Sequence, residues 1–257
     1  KRVLFVSSYS YGWDTVQTQI EGIKAGVDEK TTVDYEFMDT KRFRTKESTE
    51  MFYTMLKYHL DHSDPYDVVI VGDDAALRFA MAFREDLFDD IPIVFEGVND
   101  EEYALEAAKN PLVTGILEKL SVEKNIDMAL KVNPSADKVV AILDDSVTGE
   151  AERKNFYSAE AKYPELEFSE INSSELTTAK LQQAVSKVDE NTILIYIVMS
   201  NDGSGKQYTN AQAIRMVVTY SKVPVYRMVE DGIGAGLLGG NVVSMYKSGE
   251  IAAQMAM

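Results

Sequence analysis

Aromatic and acidic side chains recur in this sequence wherever a strand-like apolar run ends. Tyr9, Tyr11 and Trp13 follow a run at 3–6, Asp73 and Asp74 one at 67–71, and Glu96 with Asn99 and Asp100 one at 91–95. In the second half, a run at 138–143 leads into Asp144, Asp145 and Ser146, and one at 192–198 into Ser200 and Asp202. A last run, 223–227, ends on Arg227 ahead of Glu230 and Asp231. Aromatic faces with a few directional polar groups are what a small-molecule site requires. Arg227 is the only cation in this set, so acids packed around one cavity would have raised pKa values unless a positive group offset them. The expectation is a ligand bearing an amine, such as a zwitterionic amino acid, with Arg227 taking a carboxylate through its planar fork. Asp73 or Asp74, Asn99 or Asp100, and Ser146 or Thr148 also precede helical patterns, where such residues cap N-termini. The two roles can coexist.

Other strings that could do chemistry fail on context. Gly234–Gly239 fits a dinucleotide fingerprint, but a strand-like Asn241-Val242-Val243 follows where a helix is required. Gly203-Ser204-Gly205-Lys206 lacks the first glycine of a phosphate loop, and Gln207 stands where a magnesium-binding hydroxyl belongs. His59 and His62, the only histidines, sit three apart in a helical pattern without a third ligand nearby, so no metal site is expected. No serine or threonine lies in a nucleophile elbow, which disfavours hydrolysis. The adjacent carboxylates Asp144 and Asp145 keep an α/β enzyme open as a contrasting reading. No cofactor is expected.

The elements that must hold these loops are legible as an alternation. Val16, Ile20, Ile23 and Val27 recur at spacings of four, three and four, one face of a helix. Val33, Tyr35 and Phe37 alternate as in a strand; helical patterns follow at 51–59 and 74–84. The pattern restarts with helices expected over 149–162, 175–188 and 207–220, between strands at 138–143, 166–171, 192–198 and 223–227. Continuous apolar strands alternating with helices imply parallel sheets covered on both faces. The fold class is therefore α/β, with two Rossmann-like lobes: 1–114 plus about 241–257 as lobe one, and 115–240 as lobe two. Pro111–Leu120 reads as one connection and Asp231–Val243 as the return. The helical pattern at Glu250–Met257 is still open at the last residue, so a longer natural chain is expected.

Composition excludes several partners. The 257 residues carry 42 Asp+Glu against 26 Lys+Arg, a net charge of −16. That balance argues against nucleic acid, whose affinity comes from Lys and Arg displacing counterions, and against anionic lipid surfaces. There is no cysteine, hence no disulfide or thiolate chemistry. At 45% hydrophobic residues the chain can bury a large core, yet no apolar run is long enough to span a bilayer.

The order of Val-Gly-Asp-Asp-Ala-Ala-Leu (71–77), Ile-Pro-Ile-Val-Phe-Glu-Gly-Val-Asn-Asp (91–100), Thr-Gly-Ile-Leu-Glu (114–118) and Val-Val-Ala-Ile-Leu-Asp-Asp-Ser-Val-Thr-Gly (139–149) resembles one superfamily along nearly the whole chain. These are the substrate-binding proteins of ABC transporters, with the periplasmic-binding-protein type I fold. Ser8-Tyr9 with Trp13-Asp14, and Phe37-Met38-Asp39-Thr40-Lys41, resemble most the extracytoplasmic sensor domains of bacterial histidine kinases and diguanylate cyclases. Ser10, Tyr11 and Gly12 depart from the His and Pro that such sensors carry there. The resemblance implies a non-enzymatic, extracytoplasmic module whose two lobes close on a small molecule, for example an amino acid. Its main implication is the sensor of a membrane-anchored signalling protein, with a C-terminal transmembrane or signalling module outside this chain. The alternative is a lipid-anchored receptor that delivers an amino acid or related solute to an ABC permease.

Overall fold

The computed structural model describes residues 1–257, apart from the side chains of Asp14 and Val147. The chain divides into two units, residues 1–119 with 244–257, and residues 120–243. The expected boundary at 114/115 falls inside a strand of the first unit, so the division lies after Lys119 instead.

In the first unit, strands β1 (Arg2–Ser7), β2 (Thr32–Phe37), β3 (Val68–Gly72), β4 (Ile93–Val98) and β5 (Val113–Leu117) form a sheet ordered β2-β1-β3-β4-β5. All its pairings are parallel. Alternation along β1 divides the core. Leu4 and Val6 pack with Phe52 and Leu56 of α2 (Lys46–Asp61) and with Leu77 and Phe79 of α3 (Asp73–Ala82). Val3 and Phe5 pack with Val16, Ile20 and Ile23 of α1 (Asp14–Gly26) and with Ala252 and Ala253 of α9 (Met245–Ala256). The short α4 (Glu101–Ala107) joins β4 to β5.

The second unit repeats the scheme with strands β6 (Lys138–Leu143), β7 (Glu167–Asn172), β8 (Thr192–Tyr196) and β9 (Val225–Arg227), ordered β7-β6-β8-β9 and again parallel. One face packs on α5 (Val122–Val132) and α6 (Val147–Ser158), through Ile126, Ala129 and Phe156. The other packs on α7 (Thr178–Ser186) and α8 (Asn210–Tyr220), through Leu181, Val185, Ala213 and Val217.

Several elements differ from expectation for local reasons. The segment 111–120 contains β5, a half-exposed edge strand too short to show a clear period. Strand β9 begins only after Pro224, which has no N–H for a ladder. The third helix ends at Ala82 and passes into a π-helical turn, 84–88. α8 starts at Asn210 rather than 207, where Thr209 and Gln212 form a reciprocal capping box.

Glycines fix how closely α1 and α9 approach. A Cβ on Gly22 would lie 2.0 Å from the Tyr246 carbonyl oxygen, one on Gly26 2.4 Å from that of Glu250, and one on Gly249 2.2 Å from that of Gln19. These separations are impossible for any side chain, so the helices touch backbone to backbone. Gly249→Ala is therefore expected to cost about 1–3 kcal/mol, the range for overpacking, in urea-induced unfolding. Gly12, with open space around it, supplies the control. A Gly249→Ala variant as stable as Gly12→Ala would contradict this packing.

Candidate functional site

In parallel open sheets, ligands bind beyond the carboxyl ends of the strands, where the strand order reverses. In the first unit that point lies between β1 and β3, and in the second between β6 and β8. The loops leaving these strands carry most of the residues singled out from sequence.

The first unit gathers Tyr9, Trp13, Lys41, Asp73 and Glu96 around this point. Ser8 closes the loops together: its N–H and hydroxyl both donate to the Gly72 carbonyl, at 3.0 and 2.7 Å, and its Oγ accepts from Ala76 N–H at 2.8 Å. Asp73 opens α3 with φ +69, a left-handed backbone rare outside glycine. Its side chain is not a cap; it turns inward and accepts from Gln19 Nε2 at 3.3 Å. Glu96 is wholly buried, accepts from the Ser248 hydroxyl at 2.7 Å, and leaves Oε1 without a partner. Gln19 Oε1 is likewise buried and unpartnered. Burial pushes Asp73 up to about 7 against the stabilising amide of Gln19, with Asp74 adding repulsion. Burial, then the charge of Asp73, pushes Glu96 up to about 8.

The remaining expected residues here have definite partners. Asp74 accepts from the backbone N–H groups of Asn99 and Asp100, at 3.3 and 3.0 Å. The Asn99 amide donates to the Glu118 carbonyl, while Asp100 caps α4 by accepting from Tyr103 N–H. Tyr9 and Trp13 lie 6.0 Å apart, centroid to centroid, and burial raises the Tyr9 phenol. Tyr11 is exposed and sets its ring edge-on against Phe37.

In the second unit the acids serve the fold itself. Asp144 accepts from the N–H and hydroxyl of Ser200, at 2.7 and 2.5 Å, and from the N–H and hydroxyl of Ser146. Burial acts to raise its pKa, but these bonds outweigh it and hold the carboxyl low. Ser146 caps α6. Asp145 pairs with Arg153 at 2.8 Å and accepts from Asn172. Asp202 folds into its own loop, accepting from Ser204, Thr178 and Tyr208, which hold it strongly ionised despite burial. Arg227 is engaged on every side. It pairs bidentately with Asp231, at 2.7 and 2.9 Å, and donates to the Tyr196 and Ile197 carbonyls. The expectation of an open guanidinium fork is thus corrected, because Asp231 one turn downstream fills it. Burial thus raises Asp73 and Glu96 in the first unit, whereas hydroxyl and N–H donors hold Asp144 and Asp202 low in the second.

Lys41 was not among the expected site residues. Its ammonium lies over the rings of Tyr9 and Trp13, 4.3 and 5.0 Å from their centroids. The loop after β2 carries it there, pinned when Met38 N–H donates to the Ser7 carbonyl and Thr40 N–H and Oγ1 both donate to that of Ser8. Elsewhere in the second unit, Thr178, Lys206, Tyr208, Gln212 and Arg215 line an open groove of about 290 Å³ on the surface of α7 and α8. Among the described residues, no group of three or more His, Asp or Glu could hold a metal. No helix among them is long and apolar enough to cross a membrane.

The two buried acids set a pH dependence. Their folded pKa values lie above the unfolded ones near 4, so the folded state holds protons that the unfolded chain releases. Their contribution to stability is complete below about pH 4 and is lost as pH rises through about 7 for Asp73 and about 8 for Glu96. Urea unfolding should give at least ~1 kcal/mol less stability at pH 8.5 than at pH 5 from these groups, one pKa unit being about 1.4 kcal/mol. Glu96→Gln should flatten that slope; an unchanged slope would contradict the assignment.

Comparison with known proteins places this architecture. Among curated proteins, none matches the sequence. Solved structures share the fold at low identity. One is the ABC domain in complex with L-Trp from Streptococcus pneumonia, with TM-score 0.59, 16% identity, and 99% of this chain and 82% of that chain covered. Another is the ligand-free, open form of a substrate-binding protein with adhesive properties from Clostridium difficile, at 0.67 and 16%, covering 100% and 83%. A third is an amino acid ABC transporter substrate-binding protein from Pseudomonas fluorescens, at 0.64 and 12%, covering 99% and 77%. The two parallel-sheet units are those of periplasmic-binding-protein type I structures. The sequence itself matches, over residues 12–257, the family described as ABC transporter substrate binding protein, and the chain belongs to that family.

Proposed function

We propose that this protein is the solute receptor of an ABC transporter, acting outside the cytoplasm and held at the membrane beside its permease. The family match over residues 12–257 carries the reading. It favours the transport receptor over the signalling sensor. The ligand class we propose is an amino acid. Two of the fold relatives are described by L-Trp or by amino acid transport, and the first unit offers aromatic faces beside carboxylates.

The proposed half-site in the first unit comprises Tyr9, Trp13, Asp73 and Glu96, with Asn99 and Asp74 shaping the loop floor. Tyr11, more exposed, forms its rim. In the second unit we propose that Asp145, Ser146 and Ser200 present the polar surface, while Asp202 and Arg227 hold their loops in shape. No covalent step is part of this function. Asp144, the one fully buried member of the adjacent acid pair, is saturated by hydroxyl and N–H donors, and binding alone accounts for the rest.

A ligand at one hundred times its Kd stabilises the folded state by about 2.7 kcal/mol. A thermal-shift screen of the twenty amino acids and common sugars should therefore raise Tm by several degrees with at least one amino acid. Mass spectrometry of small molecules that co-purify with the protein should identify the same compound. A screen in which only sugars act would move the ligand class, and one in which nothing acts at millimolar concentration would contradict the receptor reading.

A further inference from the structure

The loop after β2 concentrates positive charge in an acidic protein: Lys41-Arg42-Phe43-Arg44-Thr45-Lys46 holds four cations in six residues of a chain whose net charge is −16. Two of the four are neutralised locally. Arg42 pairs with Asp39, and Lys46 lies 3.5 Å from Glu50. Lys41 and Arg44 have no carboxylate within ion-pair distance among the described residues. The Arg44 guanidinium instead donates to the Thr40 carbonyl at 3.0 Å, which holds it on the same loop.

Lys41, an exposed residue, is carried on an anchored backbone. The bonds from Met38 and Thr40 to the Ser7 and Ser8 carbonyls tie its backbone to the end of β1. Its ammonium rests on two aromatic faces, a weak partner that leaves N–H donors unused. Burial lowers its pKa and Asp73 acts to restore it, while Arg44 adds repulsion. Such a cation gains most from an anion that arrives from outside. Arg227, the cation the sequence offered for that task, is already filled by Asp231.

We infer that Lys41, supported by Arg44, is the anion-recognising group of the first unit's half-site and takes the carboxylate of an amino-acid ligand. The inference rests on the receptor reading above and deepens it. Tyr9 and Trp13 then hold Lys41 in place, and Asp73, whose charge acts on Lys41, would be the acid to meet the ligand's ammonium. One short loop thereby reads both the charge and the presence of the carboxylate.

The test compares L-tryptophan, L-tyrosine and L-leucine with their carboxamides by calorimetry, in the wild type, Lys41→Met, Lys41→Arg and Arg44→Gln. The wild type should prefer at least one acid over its amide by tenfold or more. Lys41→Met should abolish that preference, Lys41→Arg should retain most of it, and Arg44→Gln should reduce it two- to fivefold. Thermal melting of each variant within two degrees or so of the wild type would show the fold intact. Amino-acid binding with an unchanged preference in Lys41→Met, or amides that bind the wild type as tightly as acids, would overturn the inference and leave the receptor reading standing. Binding of sugars alone would remove the inference together with the amino-acid ligand class and leave the receptor assignment standing. Failure of every amino acid and sugar to bind would remove the reading and the inference together.

Discussion

The backbone contact between α1 and α9 is the constraint on which the first unit depends. Helix α9 comes last in the sequence, after the whole second unit, yet belongs to the first. Gly22, Gly26 and Gly249 let it lie against α1 with no side chain between. Their spacing of four along α1 places two of them on one face, where a β-carbon would strike the Tyr246 and Glu250 carbonyls. The apolar contribution comes from small residues, Ala252 and Ala253, against Ile20 and Ile23.

That approach has a chemical consequence. It brings Gln19 of α1 and Ser248 of α9 to the buried carboxylates of Asp73 and Glu96. Two carboxyl groups in one dry region repel if both ionise, so the cluster is stable when at least one holds a proton. A neutral Glu96 can donate where the charged form leaves Oε1 unpartnered beside a buried amide oxygen. The second unit solves the same problem differently. There Asp144 and Asp202 are surrounded by serine, threonine and tyrosine hydroxyls, and stay charged. The strand-end acids of the two units thus differ in character: burial raises Asp73 and Glu96, whereas hydroxyl and N–H donors hold Asp144 and Asp202 low.

The sheets were legible because their strands are buried on both faces and read as unbroken apolar runs. β5 escaped because Thr114 is exposed and residues 115–117 only half-buried, so it lacks both a run and a period. α5 lies outside the expected helices although Val122, Ile126 and Ala129 mark one buried face. Residue types at the strand ends were readable, but their partners were not. Nothing in the string shows that Asp231 closes on Arg227, since a separation of four in a glycine-containing loop implies no contact. Lys41 was hidden for the converse reason: its significance comes from the β2 loop folding over aromatics almost thirty residues earlier, which is a tertiary fact. The count of strand-end acids against the single Arg227 omits the loop after β2, which carries Lys41.

Hydrogen exchange with and without L-tryptophan tests the central claim, that solute binds at the carboxyl ends of the strands. The account predicts slower exchange in the loops at 7–13, 38–44 and 96–99 of the first unit and at 144–146 and 200–202 of the second. Protection confined to the groove on α7 and α8, around Thr178 and Gln212, with those loops unchanged, would contradict it.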